Sequence, residues 1–575
     1  MDKIKLLPYG ISDFKQVRQE GKYYVDKTIF IQRMEYTDNF LFLIRPRRFG
    51  KSIFLSMLRY YYDINERDNF DSLFEGLCIA DNPTPNQGQF QVIHLDFSRI
   101  GGSTEVLEQN FDDYCNIELE GFAQRYARFY NPDFLERMRE IKSARMKLNF
   151  INTQAKIFGH QLYLIVDEYD NFTNTVLNEE GEAVYHALTH ANGFYRDVFK
   201  IFKSMFARIL MMGVSPVTMD DVTSGYNIAS NISTRPEFNL MLGFSEEDVR
   251  QMIRYYQSVG QLQGRTEDSL VEEMRPWYDN YCFSKTRFGR DPKMFNCDMV
   301  LYFLNCVMQT DEIPEEMIDP NTRTDYNKMR KLIQLDTLDS YRRGVIHEIA
   351  EKGYIIARIK NSFPATELTD RENFISLLFY YGMLTIGGTD GADLVLIIPN
   401  NNVRLQYYDW LLSEYRSIAH IDLSRLSDAF KAAALKGQWQ PMLEEIASAY
   451  AATTSVRQLI EGERNLQGFM NAYMTLNPYY LVAPEVELNH GYCDFFLLPD
   501  HRYPMVKHSY ILELKYLKTD ATEAEAGQQW LQAEQQLRQY AQGPRVQQML
   551  RSTQLHLLIL QIRGYKLEKL GIVTP

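Results

Sequence analysis

What this chain has little of narrows the field first. Its 575 residues include six cysteines, Cys78, Cys115, Cys282, Cys297, Cys306 and Cys493, with no CxxC pair of a zinc site and no disulfide framework. Reduced, mostly buried thiols are expected, which suits a cytoplasmic protein. Long apolar runs are missing too. Stretches such as Leu162–Val166 and Ile209–Met212 fall far short of the roughly 20 residues a helix needs to cross a bilayer, so no membrane partner is expected. The opening MDKIKLLPYGISDF has no apolar core of the kind a secretory leader carries. Positive charge is in deficit. Lys and Arg number 62 against 75 Asp and Glu, and the net −13 argues against a nucleic-acid coat protein while leaving room for a local basic groove. No internal repeat is visible, and the Gln/Glu-rich stretch 521–542 is helix-compatible rather than a low-complexity tail.

Aromatic residues are plentiful, 38 Tyr and 34 Phe, which argues for well-filled cores and against disorder. The length calls for about three or four modules. In the N-terminal half, short runs such as Phe40–Ile44, Gln91–Phe97, Leu162–Val166 and Ile209–Gly213 are each bounded by polar or turn residues. Runs this short and this apolar suit buried strands of a parallel sheet, with helices between them covering both faces. After residue 240 the texture becomes helical. Ser245 and Asp248 stand three apart at a helix start, the spacing of a capping box. Residues 371–416 read helix, strand, Gly-rich turn, strand, helix, which suits either a winged-helix-like unit or a plain hairpin between helices. The last third starts with helices, then shows strands at 482–488, 492–498 and 509–516, a helix at 529–541, and a closing strand at 554–562.

The most informative segment is Arg45-Pro46-Arg47-Arg48-Phe49-Gly50-Lys51-Ser52, between an apolar strand and a helix. The P-loop pattern is G-x-x-x-x-G-K-[ST] in this setting, and its Gly-Lys-Ser end is intact while Arg45 replaces the first glycine. Backbone N–H groups from Arg48 to Ser52 would cradle phosphate oxygens, with Gly50 permitting close approach. Lys51 would face the β- and γ-phosphates of ATP, and Ser52 would meet Mg²⁺. Arg47 and Arg48 are expected mainly in solvent beside the loop. Downstream, Leu162–Val166 runs into Asp167-Glu168-Tyr169-Asp170, the Walker-B arrangement, in which Asp167 serves the Mg²⁺ shell and Glu168 polarises the attacking water. Ser215, at the tip of ILMMGVSP, could sense the γ-phosphate or simply sit in a Ser-Pro turn.

The elements LPYGISDF, YYVDKT, RPRRFGKS, VDEYD, GVSP, GFSEEDV and WYDNYCF occur in this order. Together they resemble the AAA-ATPase-like proteins that carry a C-terminal PD-(D/E)XK nuclease domain, over nearly the whole chain. That family's P-loop also has Arg where others have the first Gly. The resemblance implies an α/β protein: an AAA-like P-loop parallel sheet (1–243), a helical lid (244–350), a helical or winged-helix-like region (351–422), and a restriction-endonuclease-like domain (423–575). It also implies that Tyr23–Thr28 packs near the nucleotide.

In the last region Glu513 and Lys515 are two apart on a strand and share a face, and Asp494 lies on the preceding strand. Two facing carboxylates repel unless a cation such as Mg²⁺ relieves them, and Lys515 can assist a nucleophile. This is the D…(D/E)-x-K pattern of the nuclease superfamily. Cys493 and Phe495 are expected to point into the opposite core. The resemblance adds Glu463 as a further acid and Gln536 with Tyr540, one turn apart on a helix, as residues near the site. The expected partner is nucleic acid, DNA or RNA. The alternative is a nucleotide-dependent switch or scaffold whose nuclease-like domain binds without cutting.

Overall fold

The computed structural model describes residues 4–102, 104–171, 202, 204–217, 230–314, 316–320, 340–364, 367, 370–416, 422–452, 463–488, 491–500, 503–543, 546–547, 550 and 552–574. The chain divides into two compact units. Met1–Val345 joins Tyr354–Val403 in the first, and Ile346–Gly353 joins Arg404–Pro575 in the second.

The core of the first unit is a five-stranded parallel sheet. Its strands are β1 (Phe40–Ile44), β2 (Phe90–Asp96), β3 (Gln161–Asp167), β4 (Arg208–Gly213) and the short β5 (Ser230–Asn231), in spatial order β2-β3-β4-β1-β5. Leu41–Ile44 and Leu162–Val166 are buried throughout, as both-face covering requires. This order inserts β4 between the P-loop strand and the Walker-B strand. Three loops therefore leave the same edge of the sheet side by side, where ligands of open α/β sheets bind.

The expected capping box is present. The Ser245 hydroxyl accepts the Asp248 amide, and the Asp248 carboxylate accepts the Ser245 amide at 2.8 Å, opening the helix Glu246–Ser258. Phe244–Ser245 (β6) pairs with Met294–Phe295 (β7). The helix–strand–turn–strand–helix stretch is found as Arg371–Tyr380, β9 (Thr385–Asp390), β10 (Asp393–Ile397) and Asn401–Arg416. A strand the sequence did not suggest, β8 (Tyr354–Ala357), pairs antiparallel with β10, so this part is a three-stranded sheet in the order β8-β10-β9.

The second unit is built on a mixed sheet in the order β11 (Tyr480–Leu488), β12 (Gly491–Pro499), β13 (His508–Leu517), β14 (Gln554–Arg563), β15 (Lys566–Val573). Only β13 and β14 are parallel. A parallel pair needs a crossover, and the helix Glu523–Ala541 lies in it. Its Trp530, Ala533, Leu537 and Tyr540 pack on Ile511, Leu557 and Ile559. The chain does not close on β14, as expected, but on β15. That strand is an outer one, largely exposed and carrying Lys566, Glu568 and Lys569, so its apolar pattern is weak.

Candidate functional site

The loop after β1 is held from several sides. Gly50 has φ 82 and caps the helix Lys51–Tyr62. Arg48 and Glu168, both non-glycine, also lie in the left-handed region, at φ 68 and 51. Each such conformation costs on the order of 1 kcal/mol or more and persists only where surrounding contacts enforce it. Here they do. The Phe49 carbonyl accepts the Gly243 amide at 3.0 Å, and the Phe49 ring is buried edge-on to Tyr281 with centroids 4.9 Å apart. Arg48 pairs with Asp298 at 3.1 Å, and its carbonyl accepts from the Cys297 thiol.

The loop borders a cavity of about 580 Å³ lined by Arg47 through Ser52, Asp96, Asp167 and Glu168. Its lining also includes Tyr23, Val25, Met241, Leu242 and Leu301. The YYVDKT segment thus does reach this cavity. Lys51 is nearly buried. Its ammonium donates to the carbonyls of Arg45 (3.2 Å) and Pro46 (3.0 Å) and stands 3.9 Å from Glu168. The Ser52 hydroxyl donates to Asp167 Oδ2 at 2.6 Å, joining P-loop and Walker-B strand. Burial, then the Glu168 charge, pushes the Asp167 pKa up to about 6 against the opposing pull of Ser52 and Lys51. A pair of carboxylates facing an anion-binding loop in this way invites a cation.

Arg45 does not face the cavity. Its side chain is 1% exposed, donates to the carbonyls of Ile44, Ser233 and Phe238, and stacks 4.1 Å from the Phe283 centroid. It takes the place of the first P-loop glycine as a buried strut. Ser215 is fully buried and is not among the residues lining the cavity. Its amide donates to Asp170 at 2.5 Å, and its hydroxyl accepts the Val217 amide. Asp170 also accepts the Val214 amide, so it ties the β3 loop to the β4 tip. A Cβ on Gly213 would overlap the Asp170 carboxylate and the Tyr169 ring. Asp96, opposite Asp167 at the end of β2, was missed in the sequence, although QVIHLD ends on an acid just as LYLIVD does.

In the second unit, β12 and β13 pair Phe495 with Leu512, which sets Asp494 beside Glu513. Glu513 is 3% exposed, and its Oε1 is 2.7 Å from the Lys515 ammonium. Asp494 Oδ2 accepts the Leu514 amide at 2.7 Å, and Oδ1 is 3.5 Å from the Gln467 amide nitrogen. Gln467 was not singled out in the sequence. It stands one turn beyond Glu463 on the helix Glu463–Met474, which is the signal that points to it. Burial, and then the electrostatic influence of Glu513, Cys493 and Asp494, raises the Tyr540 pKa. Gln536, one turn earlier, has its Oε1 buried without a hydrogen-bond partner. Asp494, Glu513, Lys515 and Tyr540 are thus brought together. The Glu463 side chain lies outside the described residues.

Cys493 differs from expectation. It packs with Ile511, Phe496 and Trp530, on the side covered by the crossover helix, rather than in an opposite core. The Asp494 carboxylate is drawn toward the ladder by the Leu514 amide, so simple alternation fails at this point. Among the described residues, no group of three or more His, Cys, Asp or Glu side chains is placed to hold a metal.

These arrangements define a P-loop nucleotide-site architecture in one unit and a paired-carboxylate-and-lysine architecture in the other. Residues 8–223 match the family model described as Predicted AAA-ATPase, and residues 461–570 match the PD-(D/E)XK nuclease superfamily. The N-terminal part of the chain is thus similar to AAA-ATPase-like domains and its C-terminal part to the nuclease superfamily. A protein of Azotobacter chroococcum mcd 1, described as an uncharacterized protein in the vnfD 5′ region, is 27% identical over 287 residues, 48% of each chain. The chain spans about half the length of that curated relative. Among solved structures, the Aeropyrum pernix ORC2 protein (ADPNP–ADP complexes) aligns with TM-score 0.32 and 11% identity, over 68% of this chain and 93% of that one. Cdc6p from Pyrobaculum aerophilum aligns at TM-score 0.24, with the same identity and coverage. No described helix is long and apolar enough to cross a membrane.

Proposed function

We propose that this protein binds and hydrolyses ATP at the Lys51 site and cleaves phosphodiester bonds of nucleic acid at the Asp494–Glu513–Lys515 site, in the cytoplasm. The observation that carries the nuclease reading is the buried Glu513 carboxylate 2.7 Å from Lys515, beside Asp494 on the neighbouring strand. For ATP, the loop amides from Arg48 to Ser52 bind phosphate oxygens, and Lys51 exchanges its two loop carbonyls for them. Glu168, at the cavity wall, orients the attacking water and takes its proton. Ser52 and Asp167 would hold Mg²⁺, and their hard oxygen donors fit it. Ser215 acts from behind the wall by setting the β4 tip.

In the nuclease site, Asp494 and Glu513 supply the same kind of hard donors, with Glu463 as the third acid. A divalent ion there would activate water and offset charge on the phosphate. Lys515 neutralises Glu513 and stands ready to hold a phosphate oxygen or the nucleophile, while Gln467 and Leu514 orient Asp494. Tyr540, which feels both carboxylates, is assigned to the same site, and Gln536 one turn earlier on that helix is assigned with it.

The test is cleavage of single- and double-stranded DNA and RNA with and without ATP and Mg²⁺. Cleavage should be lost in Asp494→Ala and Lys515→Ala proteins that retain their circular dichroism. The net charge of −13 favours a second reading, a nucleotide-driven switch whose C-terminal unit binds without cutting. Mg²⁺-dependent ATP turnover with no cleavage of any of the four substrates supports that one.

A further inference from the structure

Three consecutive residues that end the helix Arg371–Tyr380 and lead into β9 meet three consecutive residues of the P-loop. Tyr380 is buried beside the Arg45 guanidinium. Gly382, at φ 79, crosses the loop so closely that a Cβ there would stand 2.8 Å from Pro46 Cβ and Cγ. Tyr381, between them, turns its phenol inward. Its neighbours are Asp170, the Ser215 side chain as hydrogen-bonding partner, Arg47 and Glu168. Burial and the Asp170 charge hold the proton on this phenol at any ordinary pH. It is thus a permanent hydroxyl at the point where the P-loop, the Walker-B acids and the β4 tip converge.

The outgoing side is equally direct. The Thr385 hydroxyl, at the start of β9, accepts the Cys282 amide at 2.8 Å and donates to the Asn280 carbonyl at 3.1 Å. The small sheet is therefore anchored a few residues from Tyr381. A ligand shifts an element only through contacts that differ between its states. An anion arriving at Lys51 and Arg47 changes the field on Glu168 and Arg47, two of the groups around the phenol.

We propose that Tyr381 is a positioning residue that reads occupancy of the P-loop site and passes it to the three-stranded sheet of β8, β9 and β10. The proposal rests on the nucleotide-binding reading of the Lys51 site.

The experiment uses the full chain as wild type, Tyr381→Phe, Gly382→Ala and, as control, Lys51→Ala. Affinity for ATPγS with Mg²⁺ is measured by calorimetry, and amide hydrogen exchange over residues 383–397 is followed with and without that nucleotide. Wild type should bind and gain protection there. Tyr381→Phe removes one oxygen. It should keep its nucleotide-free exchange pattern and an affinity within about twofold, and lose about fivefold or more of the nucleotide-induced protection. Gly382→Ala, which pushes on Pro46, should instead weaken binding about tenfold. A Tyr381→Phe protein with wild-type affinity and the full protection response overturns the proposal and leaves the nucleotide site standing. A wild type that binds no better than Lys51→Ala overturns the nucleotide reading, and this proposal with it.

Discussion

The Arg45 guanidinium lies 4.1 Å from the centroid of the Phe283 ring, with its other face of contacts spent on the carbonyls of Ser233 and Phe238. Burial pushes its pKa down to about 9, so the charge is held at a cost that these contacts offset. Motif logic would welcome Arg45→Gly, since it restores the usual P-loop glycine. The structure gives the opposite expectation. Losing charged hydrogen bonds and the stacked ring should destabilise the first unit by about 3 kcal/mol and weaken ATP binding. Thermal melting and calorimetry of Arg45→Gly and Arg45→Lys check this. A glycine variant with wild-type stability would show that the strut is dispensable.

Lys51 and Glu168 should separate binding from turnover. Lys51→Ala removes the nearly buried cation at the loop and should lower ATP affinity about 100-fold or more, read by calorimetry. Glu168→Gln should retain ATP and slow hydrolysis about 100-fold, because an amide does not take the proton of water. Equal turnover in wild type and Glu168→Gln would remove Glu168 from its role.

Asp167 sets a pH dependence. Its pKa of about 6 lies above the ordinary carboxylate value, so it binds a proton in the folded protein while pH is still mildly acidic. Mg²⁺ needs the ionised form. Mg²⁺-dependent nucleotide affinity should therefore be flat above pH 7 and fall about tenfold for each pH unit well below 6, in the limit of one required deprotonation. Titration calorimetry from pH 5 to 8 measures it. An affinity unchanged down to pH 5 would place the cation elsewhere.

The second unit should lose stability in mild acid. His508 Nδ1 and His556 Nε2 are 2.9 Å apart, so both rings cannot readily be charged. Burial and then Lys507 lower the His508 pKa, and burial and then His508 lower that of His556. Groups whose folded pKa is depressed bind more protons when unfolded. The stability they confer is present above the ordinary histidine range and is lost as pH falls from about 6.5 through the lower folded values. Melting of the second unit should drop by several degrees between pH 7.5 and 5.5, and His556→Gln should flatten that dependence. Identical pH profiles for the variant and wild type would refute the pairing.

How much of this was legible beforehand follows from range. The buried strands around β1, β3 and β4, the Ser245–Asp248 cap, and the Gly-Lys-Ser and Asp-Glu strand ends all express local physics. Periodicity, capping and loop chemistry act within a few residues, so the sequence alone determined them. Strand spacing likewise placed Glu513 and Lys515 on one face. Tertiary structure decided the rest. Only the insertion of β4 between β1 and β3 sets Ser215 against Asp170. Only the register of Phe495 on Leu512 brings Asp494 to Glu513. Arg45 reads as a defect in a motif until Phe283, more than two hundred residues on, supplies its ring. Tyr381 carried no motif at all. Its place beside the P-loop arises because Gly382 leaves room for Pro46, a contact between segments far apart in the chain that no local pattern encodes.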